Sequence, residues 1–272
     1  MSKTVSGLKQ EQVDRYWANG YLSGLPILTS DQMRIARKKL VELEKHEIEQ
    51  DPQRWASDDY RPWTDTKSAW WAWFKPMATH PKILEAVRAI LGPNILIRNA
   101  DIFVKPANSR RAIDWHVDCT ADPQGAGKML TAWFAVTDSD PDNGCIEFLS
   151  GSHEMLLPDY VKDKTSLTFE GNALERANRS ERTSNLLTAG QLSLHHFRTV
   201  HRSSGNVTDK PRIGLVIRFM AADTSKAAAE SGKAFLACGE NDPGHFMLGK
   251  TFPVSWQRSA TGDMQSTPKN NK

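Results

Sequence analysis

Cysteine is scarce in this chain. Cys119, Cys145 and Cys238 are the only three in 272 residues. Their number is odd and no Cys-x-x-Cys occurs, which argues against a disulfide framework or a cysteine-based zinc site. No apolar run reaches the roughly 18 residues that a membrane-crossing helix needs. Residues 1–7 lack the apolar stretch of a secretory leader. Lys and Arg number 35 against 32 Asp and Glu, a net charge of +3. That excess is spread out, with no basic block, so nucleic acid is not implied. No internal repeat is visible. These absences predict a cytoplasmic protein with reduced thiols that binds neither membrane nor nucleic acid. What is present is enough for a sizeable core: 39% apolar residues and nine Trp.

Helical spacing dominates the first third, roughly residues 8–92. Leu8, Val13 and Trp17 share a face of a helix over 8–19, which Gly20 can stop. An extended segment follows. Ser30 is the expected N-cap of a helix over 31–49. A helix over 81–91 begins after His80 and ends at Gly92-Pro93. Residues 55–73 hold five Trp among polar spacers, and fit either a helical core layer or a lid over a pocket.

From residue 94 to about 220 the pattern changes to short strands. Alternation puts Asn99, Asp101, Phe103 and Lys105 on one face of 95–105. It groups Thr131, Trp133 and Ala135 on one face of 130–137, and Arg212, Gly214, Val216 and Arg218 on one face of 212–220. Residues 158–185 are polar and read as a long mobile loop. Residues 221–258 read as loop-rich, and 259–272 as a disordered tail. Helices followed by about eight short strands predict one domain over 1–258, mainly β with flanking helices. The jelly roll is the simplest such architecture.

The chemistry-bearing stretch is Asp114-Trp115-His116-Val117-Asp118. In a strand, His116 and Asp118 point to the same side. Alone, the pair also fits a surface strand with two solvated residues. A second histidine would complete a 2-His-1-carboxylate set that leaves one face of a metal open. His153, His195, His196, His201 and His245 are the candidates. His201 is favoured, because a strand end and turn follow it and Arg212 opens the next strand eleven residues on.

At this point the sequence resembles the phytanoyl-CoA dioxygenase-like family of Fe(II)/2-oxoglutarate oxygenases. The matching pieces are Trp115-His116-Val117-Asp118, Thr131-Ala132-Trp133, Asn143-Gly144-Cys145, Gly151-Ser152-His153, and His201-x-Ser203-x-x-Asn206 followed by Arg212. The resemblance implies a double-stranded β-helix of the cupin-like kind. It implies iron held by His116, Asp118 and His201, and 2-oxoglutarate held by Arg212 with Lys105, Trp133 and Ser203 nearby. It further implies use of dioxygen and a small-molecule substrate, hydroxylated with release of succinate and CO2. Related halogenases replace the metal-binding carboxylate with Ala or Gly, whereas Asp118 is present here. Arg202 stands where the family commonly has Gly; with Arg198 it either marks a substrate acidic group or a solvated turn. Two other readings remain open: a cupin-type metal-dependent protein that is not an oxygenase, and a non-catalytic small-molecule binding module.

Overall fold

The computed structural model describes residues 7–50, 69–118, 128–154, 160–162, 167–169, 179–229, 233–241 and 245–249. Among these, α1 (Gln10–Asn19) leads into β1 (Tyr21–Pro26), then α2 (Ser30–Gln50), α3 (Ala69–Ala78) and α4 (Pro81–Leu91). Twelve further strands follow, β2 (Ile95–Lys105) to β13 (Met247–Leu248).

Local chemistry explains the helix ends. Gly20 adopts φ 81°, and its N–H donates to Tyr16 O to close α1. A side chain there would also strike His153 and Thr199. Helix α4 has Pro81 at its first position, and the His80 ring accepts from Lys82 N at 3.3 Å. The cap of α2 corrects the sequence expectation: Thr29, not Ser30, accepts from Gln32 N, while Gln32 Oε1 accepts from Thr29 N. This is a reciprocal capping box, and it shifts the cap one residue forward.

The strands form two sheets. The large one runs β1-β9-β4-β11-β2-β12-β13, and the small one runs β6-β7-β3-β10-β5-β8, with β6 Tyr160–Lys162, β7 Leu167–Phe169 and β8 Thr183–Ser184. Here β3 is Ile113–Val117, β4 Met129–Ala135, β5 Ile146–Phe148, β9 Gln191–His196, β10 His201–Ser203, β11 Arg212–Ala221 and β12 Lys233–Cys238. The pairing is antiparallel throughout the part that carries the site. This is a double-stranded β-helix, the jelly roll of cupin-like proteins. No described helix is long and apolar enough to cross a membrane.

Every residue of β4 is buried, because both faces of the large sheet are covered. Leu130, Ala132 and Phe134 face the helices and join Tyr16, Phe74, Ile83 and Val87 in the largest core cluster. Fully burying a side chain such as Phe134 contributes about 1.5–3 kcal/mol. The opposite face carries Thr131, Trp133 and Ala135 towards the small sheet. Trp133 joins Phe148 and Val216 in a buried cluster that draws on both sheets.

Three expectations change. The 158–185 segment contains strands: β6 (Tyr160–Lys162) pairs with β7 (Leu167–Phe169), and β7 pairs with β3 so that Thr168 lies opposite His116. Each is only three residues long, too short to show a period within a polar segment. The 221–258 segment is not simply loop: β12 extends the large sheet beside β2. Finally, Trp73 packs edge-to-face on Phe74 with Phe134 nearby, on the helical side of the sheet. That placement makes it core and not lid. Trp55, Trp63 and residues 51–68, 170–178 and 250–272 lie outside the described residues, and the side chains of Trp70 and Trp71 are likewise not described.

Candidate metal and carboxylate site

Strands β3 and β10 are neighbours, with His201 directly opposite His116. Their rings lie 4.0 Å apart between centroids. Asp118 follows β3 and points to the same side as His116. One ligand atom from each of His116, Asp118 and His201 can be chosen so that all three lie within 4.8 Å of one another.

Each histidine is fixed by its own chain. His116 Nδ1 lies 2.8 Å from Asp114 O, and His201 Nδ1 lies 2.9 Å from Thr199 O. A carbonyl can only accept, so both Nδ1 atoms carry the proton and both Nε2 atoms keep a lone pair. Burial, then the neighbouring His116 and His195, pushes His201 well below the usual imidazole range. Burial also lowers His116, against a partial pull back from Asp118. Both rings are therefore neutral near pH 7, the form that binds a metal.

Asp118 is buried and held from the other sheet. Its Oδ2 accepts from Thr131 Oγ1 at 2.6 Å and lies 3.2 Å from His195 Nε2. Its Oδ1 lies 3.7 Å from Arg218 Nη2. Burial alone would raise this carboxyl; Arg218 and the hydrogen bond from His195 outweigh it and hold it well below the usual carboxylate range. Two neutral imidazoles and one ionised carboxylate on one side of a cavity are a donor set that fits a divalent iron with open positions.

The far end of the same cavity is cationic. Arg212 is fully buried, with its guanidinium over the Trp133 ring at 5.2 Å and the Phe103 ring at 5.5 Å. Its Nε and Nη1 have no hydrogen-bond partner among the described residues. Burial pushes its pKa down to about 10. Gly214 makes this arrangement possible, since any side chain there would collide with the Trp133 indole. A buried guanidinium with open donors is costly unless a carboxylate or similar anion completes it. Both ends open onto one cavity lined by His116, Asp118, His201, Trp133, Ser203 and Arg212, among others.

Of the sequence candidates, the triad, Arg212, Trp133 and Ser203 thus come together. Lys105 lies opposite Arg212 on β2, but its ammonium donates to the carbonyls of Arg111 at 3.1 Å, Ser203 at 3.3 Å and Ser204. Arg202 lines the cavity, stands over the Trp115 ring and donates to Glu147 Oε2 at 2.7 Å. Three of the alternative histidines are used elsewhere. His153 Nε2 meets Trp17 O, His196 Nδ1 accepts from Arg198 N, and His245 Nε2 meets Thr224 O. His195 is different, because it faces the site and touches Asp118. Thr131 and Arg218 are not singled out as functional by the sequence, and His195, a candidate ligand there, instead meets the carboxylate of Asp118. Alternation placed Thr131 and Arg218 on inward faces; only the register reveals what they meet.

The sequence matches the family described as Phytanoyl-CoA dioxygenase (PhyH) over residues 17–214. It is 32% identical over 148 residues to a probable alpha-ketoglutarate-dependent hypophosphite dioxygenase of Stutzerimonas stutzeri, covering 52% of this chain and 51% of that protein. The chain thus spans about half the length of that relative. It is 23% identical over 259 residues to an ectoine dioxygenase of Stutzerimonas stutzeri (strain A1501), covering 85% and 84%. A solved non-heme monooxygenase in its apo form has the same fold, with a TM-score of 0.68 at 24% identity over 89% of each chain.

Proposed function

The chain belongs to the phytanoyl-CoA dioxygenase family, and from that premise we propose that it is an Fe(II)- and 2-oxoglutarate-dependent dioxygenase. Its reaction would be hydroxylation of an unactivated C–H bond in a small metabolite or natural-product intermediate, with release of succinate and CO2. The observation that carries this reading is the buried, open-handed guanidinium of Arg212 in the same cavity as the triad. A metal-binding protein that does no oxygenase chemistry has no need of it.

His116, Asp118 and His201 would hold the iron, and Arg212 would receive the distal carboxylate of 2-oxoglutarate. Iron, 2-oxoglutarate and dioxygen together supply the oxidising chemistry when bound. The residues around them orient and shield. The Trp133 and Phe103 rings pack against the guanidinium, which is buried from water. Ser203 forms part of the wall, and Lys105 adds positive charge beside Arg212 without pointing its donors into the cavity. Ile113 and Ile146 give the lining an apolar portion. The ectoine and hypophosphite named for the two relatives are small molecules, which supports a small substrate here. A cytoplasmic setting belongs to the same proposal, and the unpaired Cys145 and Cys238 fit it.

The test is an anaerobic titration of the full chain with Fe(II), with and without 2-oxoglutarate. A visible charge-transfer band that needs both is the expected result, followed by succinate formation across a metabolite panel. Metal binding without that band would instead favour a cupin-type protein that is not an oxygenase.

A further inference from the structure

Asp118 leaves the small sheet and is received by the large one. Three residues on three adjacent strands meet it: His195 on β9, Thr131 on β4 and Arg218 on β11. They form one row, because His195 lies opposite Thr131 and Thr131 lies opposite Arg218. Two of the three act on the same oxygen. Oδ2 takes the Thr131 hydroxyl at 2.6 Å and His195 Nε2 at 3.2 Å. Oδ1 has no hydrogen bond among the described residues, with Arg218 Nη2 standing off at 3.7 Å.

Arg218 is restrained from behind. Its Nη1 donates to Asp101 Oδ2 at 2.7 Å, and both residues are buried. Asp101 therefore takes the short contact, leaving Asp118 the longer one. At 3.7 Å the guanidinium stabilises the ionised carboxylate through space but makes no hydrogen bond that would compete with a metal for Oδ1.

We propose that Thr131, His195 and Arg218, with Asp101 behind Arg218, are positioning residues that commit one oxygen of Asp118 to the protein and leave the other for the metal. An unrestrained carboxylate can turn both oxygens to a cation, as carboxylates do at calcium sites. Here that would consume a coordination position that 2-oxoglutarate and dioxygen need. The row on the large sheet prevents the turn. The inference rests on reading the triad as a metal site.

The test uses the metal-stripped full chain and Co(II), whose visible spectrum reports coordination. Thr131→Val keeps the shape and removes the hydroxyl; Thr131→Ser restores it. Thr131→Val is expected to weaken Co(II) binding by about 10–100-fold, the usual cost of removing a group that orients a ligand. It is also expected to alter the Co(II) spectrum while the metal-free chain stays folded. Thr131→Ser should return both affinity and spectrum. Asp101→Asn is an independent arm: it loosens the hold on Arg218 so that it can close on Asp118, and Co(II) binding should weaken although Asp101 is not one of the three ligands. Wild-type affinity and spectrum in both Thr131→Val and Asp101→Asn, with the wild type binding Co(II), would overturn the positioning role and leave the proposed function standing. A wild-type chain that binds no Co(II) would overturn the metal reading, and this inference with it.

Discussion

In the small sheet, His116 and His201 are each fixed by a carbonyl two residues back in the chain, of Asp114 on β3 and of Thr199 just before β10. The site residues of the large sheet are held by neighbours instead. Arg212 lies between rings from β2 and β4, and Arg218 is held by Asp101 of β2. Asp118, although it follows β3, belongs with this second group, because its partners are the β9-β4-β11 row. The small sheet supplies neutral ligands, and the large sheet supplies charge. A ligand fixed locally survives as a short motif. A charge fixed by strand register depends on residues scattered over more than a hundred positions.

The largest expected effects test this contrast directly. His116→Ala, Asp118→Ala and His201→Ala should each abolish metal-dependent turnover, since a three-point site loses a third of its donors. Their metal-free stabilities should differ. Losing the His116 or the His201 imidazole frees one carbonyl, that of Asp114 or Thr199. Losing the Asp118 carboxylate leaves the Thr131 hydroxyl and His195 Nε2 buried without their acceptor, which costs about 1–3 kcal/mol. Chemical denaturation of the three variants without metal measures this. Equal stability in all three would mean that the large sheet does not depend on Asp118, and the contrast would fail.

Arg212→Ala comes next. It should raise the apparent KM for 2-oxoglutarate by tens- to thousands-fold, corresponding to about 2–5 kcal/mol for one side of a buried charged pair. Fe(II) binding in the absence of 2-oxoglutarate should stay near wild type, because Arg212 lies at the other end of the cavity. Steady-state kinetics and an Fe(II) titration separate the two. Loss of iron affinity together with 2-oxoglutarate affinity would show that the two ends are not independent.

The same contrast explains what the sequence makes legible. Helix α4 and strand β2 fall within the expected bounds, because Pro81, Gly92 and plain alternation are local signals. The His116-x-Asp118 pair is local in the same way, whereas His201 is one of five candidate histidines in the sequence and meets His116 only through the pairing of β10 with β3. The cap at Thr29 is missed by one residue, although Thr-x-x-Gln is a readable capping box. Strands β6 and β7 are missed because each is only three residues long, too short to show a period, and they gain order by pairing beside β3. The Asp101–Arg218–Asp118 chain is missed for a deeper reason. Alternation says that Arg218 and Asp101 face inwards, but their meeting depends on how β11 aligns with β2. That alignment includes a register shift between Arg218 and Phe219.

Lys105 gives the smallest effect and the finest test. Burial, and then the adjacent Arg212, pushes its ammonium down to about 7. Its three carbonyl partners accept hydrogen bonds from it and favour the charged form. A dicarboxylate bound beside Arg212 would favour that form further. The sign follows from these facts. Below about 7, Lys105 is already charged and attracts 2-oxoglutarate at no further cost. Above it, binding must take up a proton, so affinity falls as pH rises, by at most about tenfold per pH unit for one proton. Calorimetry of 2-oxoglutarate binding on either side of neutrality, in buffers of different ionisation enthalpy, measures the proton directly. Lys105→Met should bind more weakly and lose the pH dependence. If the wild type is flat with pH and Lys105→Met is uniformly weak, Lys105 acts through its ties to Ser203 and Ser204 and not through its charge. It would then be a strut from the large sheet to the small one, and the charged end of the cavity would rest on Arg212 alone.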